Sequence, residues 1–160
     1  MTIRLAVASD ASAVASVHVR SWQSAYRGLI PDSVLDNLSV EARTAGWEEY
    51  IASGSVWVGL APASGEIVGF AFAGESRDDD APFELYTIYL LPSAWGSGLA
   101  LELVAAAIGD EKDVIVWVLD GNARARRFYE RLGFRVDGAT RTQTVGSAVL
   151  EEVRYRTAAG

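Results

Sequence analysis

The sequence contains no cysteine and a single histidine, His18, among its 160 residues. Disulfide bonds and thiolate-ligated metal sites are therefore excluded, and so is a metal centre built from several histidines. Basic residues are also scarce, because 14 lysines and arginines oppose 21 acidic residues and leave a formal net charge of −7. Nucleic-acid binding needs a basic surface, so this charge argues against a nucleic-acid partner.

Long hydrophobic runs are missing too. The opening MTIRLAVASD turns polar too soon for a signal peptide. The most apolar helical stretch, 99–108, contains Glu102 and is far shorter than the roughly 20 residues that cross a bilayer. We therefore expect a cytoplasmic protein with no membrane partner. The length of 160 residues suits one domain, 1–160, with one hydrophobic core.

What the sequence does contain is a series of strand and helix patterns. Segment 83–91 is apolar on both faces apart from Glu84, and segment 113–119 again has the pattern of a fully buried strand. Both patterns are typical of central strands. Further strands are predicted at 3–7, 55–61, 67–76 and as a pair joined across Gly146, and helices at 11–21, from Pro31, at 39–54, at 96–108 and at 122–133. The economical architecture is an α/β (α+β) fold, with a mixed sheet and helices on both faces.

Much of the negative charge is concentrated in one run, the three aspartates of RDDDAP at 78–80. Two interpretations stay open for this run. It forms a solvated loop, or it attracts a cationic substrate by electrostatic steering.

The joint between the strand at 83–91 and the following helix is rich in glycine. Residues 90–108 read LLPSAWGSGLALELVAAAI, so two glycines separate a buried strand from an apolar helix. A glycine turn at a helix start directs backbone N–H groups outward, an arrangement that binds anions such as phosphate. The nucleotide P-loop is excluded because no lysine follows, and the dinucleotide fingerprint fails because Leu101 replaces its third glycine. A plain tight turn remains the alternative.

Together with the rest of the chain, this joint resembles motif A of the GCN5-related N-acetyltransferases, Q/R-x-x-G-x-G/A, with Gly98 and Ala100 at the second and third positions. The segment GNARARRFYERLGF is similar to the family's N-x-x-A-x-x-F-Y-E-x-x-G-F pattern at every defining position. RSWQSAYRGLIP and VRYR also resemble members that act on small molecules. The resemblance implies a mostly antiparallel sheet of about six to seven strands, splayed between the fourth and fifth strands.

The resemblance also implies a function, the transfer of an acetyl group from acetyl-CoA to a primary amine of a small molecule or peptide by direct attack. Tyr129 is then the general acid that protonates the leaving thiolate, and the Leu90 N–H is the donor to the oxyanion. Trp22 and Tyr26, four residues apart, are expected to wall the acceptor pocket together with Glu84. The cofactor-binding residues that it implies are Leu90, Leu91, Trp95, Gly96, Ser97, Gly98, Leu99, Ala100, Asn122 and Ala125.

A base is needed because deprotonating an amine of pKa 10.4 at neutral pH costs about 4.6 kcal/mol, and a nearby carboxylate, acting directly or through water, could take that proton. Glu84 is the first candidate, as the one charge in a central strand, and the alternative is a strand-end glutamate that reaches solvent. Glu75 and His18 are weaker candidates. Tyr129 shares an apolar helix face with Phe128, so a packing role is its alternative.

The sequence departs from the family at three positions, where Trp95, Ser97 and Leu101 stand in place of frequent basic residues. Only backbone donors and the helix dipole, worth about 0.3–1 kcal/mol, would then hold the pyrophosphate. These losses favour the second hypothesis, a CoA-binding sensor or interaction module without catalysis. Transfer of a longer acyl group and assembly into a homodimer are further alternatives that the sequence leaves open.

Overall fold

The structure, a computed structural model, describes residues 2–157. Seven strands and five helices are described: β1 Thr2–Leu5, α1 Ala11–Ala25, α2 Asp32–Asp36, α3 Val40–Ala52, β2 Val56–Leu60, β3 Ile67–Glu75, β4 Phe83–Leu90, α4 Leu99–Ile108, β5 Val114–Leu119, α5 Ala123–Arg131, β6 Phe134–Val145 and β7 Ala148–Thr157.

All seven strands form one sheet in the order β1-β2-β3-β4-β5-β7-β6. Every neighbouring pair is antiparallel except β4 and β5, which run parallel. These two strands pair only at Phe83 with Val114 and at Glu84 with Ile115, and beyond that point they diverge. The prediction of a mixed, mostly antiparallel sheet splayed between its fourth and fifth strands is confirmed.

Helices cover both faces of the sheet, as predicted. On one face α1 and α3 pack on β3, where the rings of Trp47 and Phe70 lie 4.8 Å apart. On the other face α4 lies close to the strands, because β2 carries a glycine at the contact. A Cβ atom on Gly59 would stand 2.6 Å from the Leu99 side chain, so a larger residue there would force that side chain to move.

A second, smaller apolar cluster fixes the segment between α1 and α2 against the far ends of β5 and β7. It buries six hydrophobic residues: Tyr26, Ile30, Leu35, Leu119, Ala148 and Leu150. This cluster holds the end of α1 beside the gap between β4 and β5, where the candidate site lies.

The acidic run is tied to the sheet through two of its three residues, although Asp80 is also exposed to solvent as the solvated-loop interpretation expected. Asp78 and Asp80 accept hydrogen bonds from Arg154 of β7, at 3.0 and 2.7 Å. Asp78 also accepts from the Trp117 indole at 3.0 Å. Arg154 is 6% exposed, and a buried guanidinium needs such partners. The two carboxylates therefore neutralise a buried arginine.

Two helix boundaries differ from prediction. Helix α4 begins at Leu99 rather than near residue 96, because Gly96 and Gly98 adopt left-handed backbone conformations with φ of +74° and +86° that no helix contains. Helix α1 continues to Ala25 rather than ending near residue 21. Within residues 2–157, no helix has the length and hydrophobicity needed to cross a membrane.

Candidate active site

The divergence of β4 and β5 opens a cleft of about 1550 Å³. This volume exceeds the 300–1,000 Å³ that is usual for one small-molecule site, so the cleft has room for two ligands. Ten residues predicted from the sequence line it: Trp22, Tyr26, Leu90, Trp95, Gly96, Gly98, Ala100, Asn122, Ala125 and Tyr129. Four predicted residues are not among its lining residues: Glu84, Leu91, Ser97 and Leu99.

The glycine joint forms one end of the cleft. Its two glycines are held at positive φ, and the chain enters α4 with Gly98 as the N-cap residue. The Leu99 N–H donates to the Ser97 hydroxyl at 3.3 Å. The N–H groups of Ala100 and Leu101 lie in the first turn, where a helix supplies no acceptor for them. These two donors and the positive end of the helix dipole can bind an anion.

Predicted residues outside the cleft are held in other contacts. The Leu99 side chain is fully buried and packs towards Gly59. Leu91 is 6% exposed and its N–H donates to the Val68 carbonyl at 2.8 Å. The Ser97 hydroxyl donates to the Ala94 carbonyl. Leu91, Ser97 and Leu99 therefore stabilise the conformation of the glycine joint from outside the cleft.

Sequence reasoning missed an arginine at this joint. The guanidinium carbon of Arg124, the second residue of α5, lies 3.4 Å from the centre of the Trp95 ring. The Trp95 indole N–H in turn donates to the Leu90 carbonyl at 3.1 Å, which fixes the ring that Arg124 covers. No ion-pair partner of Arg124 occurs within residues 2–157. A positive charge therefore reaches this end of the cleft from a different helix.

The Leu90 N–H points into the gap. Neighbouring residues of a strand direct their N–H and C=O groups to opposite sides. Because the Leu91 N–H bonds β3, the N–H and C=O of Leu90 face away from β3, where β5 has already diverged. The carbonyl accepts from Trp95, and the N–H remains as a donor towards the cleft.

Helix α5 contributes Tyr129 and Asn122 to the opposite wall. Tyr129 is 5% exposed and packs against the rings of Phe134 and Tyr155 at 5.8 and 6.2 Å. Burial, with a smaller effect of Tyr89, raises the pKa of the Tyr129 phenol well above its usual value, so at neutral pH it holds its proton and can donate it. The Asn122 side chain caps α5 by accepting from the Ala125 N–H at 3.2 Å, which leaves its NH₂ group for a ligand.

The other half of the cleft is aromatic and belongs to the first helical layer. His18, Ser21, Trp22 and Ala25 line it at spacings that place them on one face of α1. The Trp22 and Tyr26 rings lie 5.1 Å apart, so the structure brings these two predicted acceptor residues together. We call this half, facing α1 and α3, the acceptor half.

His18 is a wall of the acceptor half and is not suited to act as a base. Its Nδ1 accepts from the Trp47 indole at 3.2 Å, and its ring stacks on Tyr89 with centres 5.3 Å apart. Burial, together with the positive charge of Arg43, lowers the pKa of His18 to about 3. At neutral pH the ring is uncharged and a very weak proton acceptor.

The position of Glu84 does not suit the base that the sequence predicted. Glu84 is 1% exposed, and its carboxylate accepts from the Arg77 side chain at 2.5 and 3.2 Å and from the Arg77 N–H at 3.1 Å. It stands where β4 and β5 still pair, about 20 Å along the strand from Leu90 at 3.3 Å per residue. Its charge is used to hold the loop before β4.

A different carboxylate, Glu152 of β7, lies in the cleft. It is 7% exposed and accepts from the Arg141 Nε at 2.8 Å. Within residues 2–157 it is the one carboxylate among the lining residues. Sequence reasoning missed it, because the run AVLEEV at 148–153 does not alternate apolar and polar residues. Only the structure, with residues 148, 150 and 152 buried, places Glu152 on an inward face.

Comparison with known proteins agrees with this geometry. A family model described as "Acetyltransferase (GNAT) family" matches residues 18–134. An uncharacterized N-acetyltransferase of Mycobacterium bovis is 33% identical over 145 residues, which cover 87% of this chain and 91% of that protein. An uncharacterized N-acetyltransferase of Bacillus subtilis is 31% identical over 131 residues, 76% of this chain and 73% of that protein.

Solved structures share the fold. A putative acetyltransferase of Salmonella typhimurium, solved with acetyl-CoA, has a TM-score of 0.70 at 23% identity and covers 98% of this chain and 92% of its own. The PaiA N-acetyltransferase of Thermoplasma acidophilum, solved with coenzyme A, has a TM-score of 0.68 at 20% identity, covering 94% and 96%. The sequence match, the splayed sheet and the glycine joint lead to one conclusion: the chain belongs to the acetyltransferase (GNAT) family.

Proposed function

We propose that the protein is an acetyl-CoA-dependent N-acetyltransferase that acts on a primary amine by direct attack. One observation carries the proposal. A single cleft between β4 and β5 contains four groups that the reaction needs. They are the free N–H donors of the glycine joint, the inward N–H of Leu90, the Tyr129 phenol and the Glu152 carboxylate. Such a convergence of donors, an acid and a base on one cavity is what acyl transfer to an amine requires.

The residues at the glycine joint fit the cofactor. Its pyrophosphate needs donors and positive charge, which the N–H groups of Ala100 and Leu101, the α4 dipole and Arg124 provide. The NH₂ group of Asn122 is placed to bond an amide of the pantetheine arm. The cofactor supplies a thioester, whose carbonyl carbon is the electrophile of the reaction.

Glu152 is the proposed base in place of Glu84. Its carboxylate stays close enough to the phenols of Tyr26 and Tyr89 to add to the burial that raises their pKa, so its charge acts inside the acceptor half. The carboxylate takes a proton from the incoming ammonium, directly or through a water molecule, and offsets part of the roughly 4.6 kcal/mol that deprotonation costs.

Leu90 and Tyr129 act at the other stages of the transfer. The inward N–H of Leu90 donates to the carbonyl oxygen as negative charge develops on it, which lowers the barrier because the donor is already oriented. The buried phenol of Tyr129 gives its proton to the departing sulfur. A thiolate of pKa near 8.5 is a weaker base than a phenolate, so this transfer depends on close contact within the cleft.

The test combines binding with turnover. Isothermal titration with acetyl-CoA and CoA measures the cofactor site, and thiol release with a panel of amines measures catalysis. We expect Tyr129→Phe to lower kcat while the affinity for CoA stays at the wild-type value, because the phenol acts in the transition state only. Unchanged kcat would remove Tyr129 from the mechanism.

The same experiment distinguishes the transferase from the competing hypothesis, a CoA-binding module without catalysis. The missing basic residues at positions 95, 97 and 101 favour a module that binds CoA without catalysis. Tight cofactor binding with no thiol release from any amine would support that module and refute the transferase.

A further inference from the structure

The acceptor half contains three buried polar atoms without a partner. Within residues 2–157, the Ser21 Oγ, the Trp22 Nε1 and the Thr87 Oγ1 are buried and make no hydrogen bond of good geometry, although the Trp22 indole lies close enough to the Tyr89 phenol to act against the burial that raises the pKa of Tyr89. All three residues line the cleft. Buried polar groups are nearly always bonded, because a buried donor or acceptor left unpaired loses its hydrogen bonds to water without replacement. Three such atoms in one cleft indicate that a bound molecule completes their bonds.

These atoms belong to two elements on the same side of the sheet. Ser21 and Trp22 are on the face of α1 that lines the cleft. In the sheet register Thr87 pairs with Phe72 and Tyr89 with Phe70, so Thr87 and Tyr89 share one face of β4. That face is the one against which His18 of α1 stacks. The unpaired groups therefore approach the acceptor half from both α1 and β4.

Their chemistry favours an acceptor of hydrogen bonds. An indole N–H can only donate, and the two hydroxyl groups donate as readily as they accept. A group with several lone pairs can satisfy all three atoms, whereas an ammonium group can satisfy only the hydroxyls.

A positive charge lies beside these donors. The guanidinium carbon of Arg43, on α3, is 5.8 Å from the centre of the Trp22 ring, and Arg43 lines the cleft. The other arginines of the acceptor half have carboxylate partners, Arg77 with Glu84 and Arg141 with Glu152. Arg43 has no such partner within residues 2–157. Its charge is therefore not neutralised by the protein.

From these contacts we infer that the acceptor is a small amine that also carries an oxyanion, a carboxylate or a phosphate, bound by Arg43 and the Trp22 N–H. The Ser21 and Thr87 hydroxyls complete the oxyanion site, and the amine points towards Glu152. The inference rests on the proposed function and adds the substrate class: amino acids and aminoalkyl phosphates rather than polyamines.

The first test compares acceptors that differ only in the anionic group. Thiol release is measured at saturating acetyl-CoA with L-phenylalanine against L-phenylalaninamide, and with phosphoethanolamine against ethanolamine. We expect kcat/KM to be about tenfold or more higher for the anionic member of at least one pair, since hydrogen bonds to a charged group are stronger than those to a neutral one. The pair that responds distinguishes carboxylate from phosphate. Spermidine, a cation without an oxyanion, is expected to be a poor acceptor.

The arginine is tested by Arg43→Gln, which should abolish the preference for the anionic member of the responding pair. Arg20→Gln is the matched control, because Arg20 is an exposed arginine of α1 that is not among the cleft-lining residues. A preference that survives Arg43→Gln, or spermidine reacting as fast as the anionic acceptors, would overturn the inference.

A second measurement does not depend on catalysis. Two pairs of ligands are titrated into the protein saturated with CoA. The first pair is N-acetyl-L-phenylalanine and N-acetyl-L-phenylalaninamide, and the second is O-phosphoethanolamine and ethanolamine. Tighter binding of an anionic member, lost in Arg43→Gln, supports the oxyanion site even if no amine is ever acetylated, in which case only the proposed function fails. Equal binding within both pairs, or no binding of any of the four, overturns the inference.

Discussion

The stack of Arg124 on Trp95 yields the sharpest prediction about the cofactor. If Arg124 supplies the charge that positions 95, 97 and 101 lack, then Arg124→Gln must weaken CoA binding. A charge-assisted hydrogen bond contributes about 1.5–3 kcal/mol, and Arg124 is exposed, so the low end applies. About 1.5 kcal/mol corresponds to a roughly tenfold increase in Kd.

Trp95 acts on the same charge by holding the guanidinium in place. A cation–π contact at an exposed site contributes about 0.5–1 kcal/mol. We therefore expect Trp95→Leu to weaken CoA binding by a factor of about two to five. The effects of the two substitutions should not add, because Trp95→Leu removes the orientation on which the Arg124 bond depends.

The assay is isothermal titration with CoA at about 50 and 200 mM salt, where screening differs clearly. The loss in Arg124→Gln should be larger at low salt. Pantetheine, which has no phosphate, should bind this variant and the wild type equally. Arg127→Gln is the matched control, since Arg127 is an exposed arginine on the same helix that is not among the cleft-lining residues. Wild-type affinity of Arg124→Gln for CoA, or an equal loss for pantetheine, would refute the reasoning.

Three further predictions follow from other contacts. Measured by thiol release, Glu152→Gln should lower kcat about 100-fold or more, whereas Glu151→Gln, at the exposed neighbouring residue, should leave kcat unchanged. Full activity of Glu152→Gln would exclude Glu152 as the base. Ser97→Arg should tighten acetyl-CoA binding, most at low salt, because it restores a basic residue beside the helix N-terminus; no gain by calorimetry would mean that the existing donors saturate the site. His18 has a folded-state pKa lowered from 6.5 to about 3, so its contribution to stability is present above pH 6.5 and is lost as the pH falls towards 3; His18→Gln should make this decline shallower in urea titrations, and an unchanged slope would contradict it.

The sequence was sufficient wherever the signal is local. The continuous apolar runs of β4 and β5, the apolar face of α5 around Tyr129 and the two glycines before α4 each depend on residues close together in the chain. The mixed, mostly antiparallel sheet with its splay between the fourth and fifth strands was implied by the family resemblance, and the structure confirms it. The positive φ of Gly96 and Gly98 also shows why that turn needs glycine, although the first helical residue was placed three positions too early.

The tertiary structure alone decided which charges meet in the cleft. Glu84 is the more conspicuous carboxylate in the sequence, but Arg77 binds it where the strands are still paired. Glu152 and Arg124 reach the cleft from β7 and α5, at positions far from the glycine joint in the chain. A charged side chain is assigned its role by the partners that folding brings to it, and no pattern within one segment contains that information.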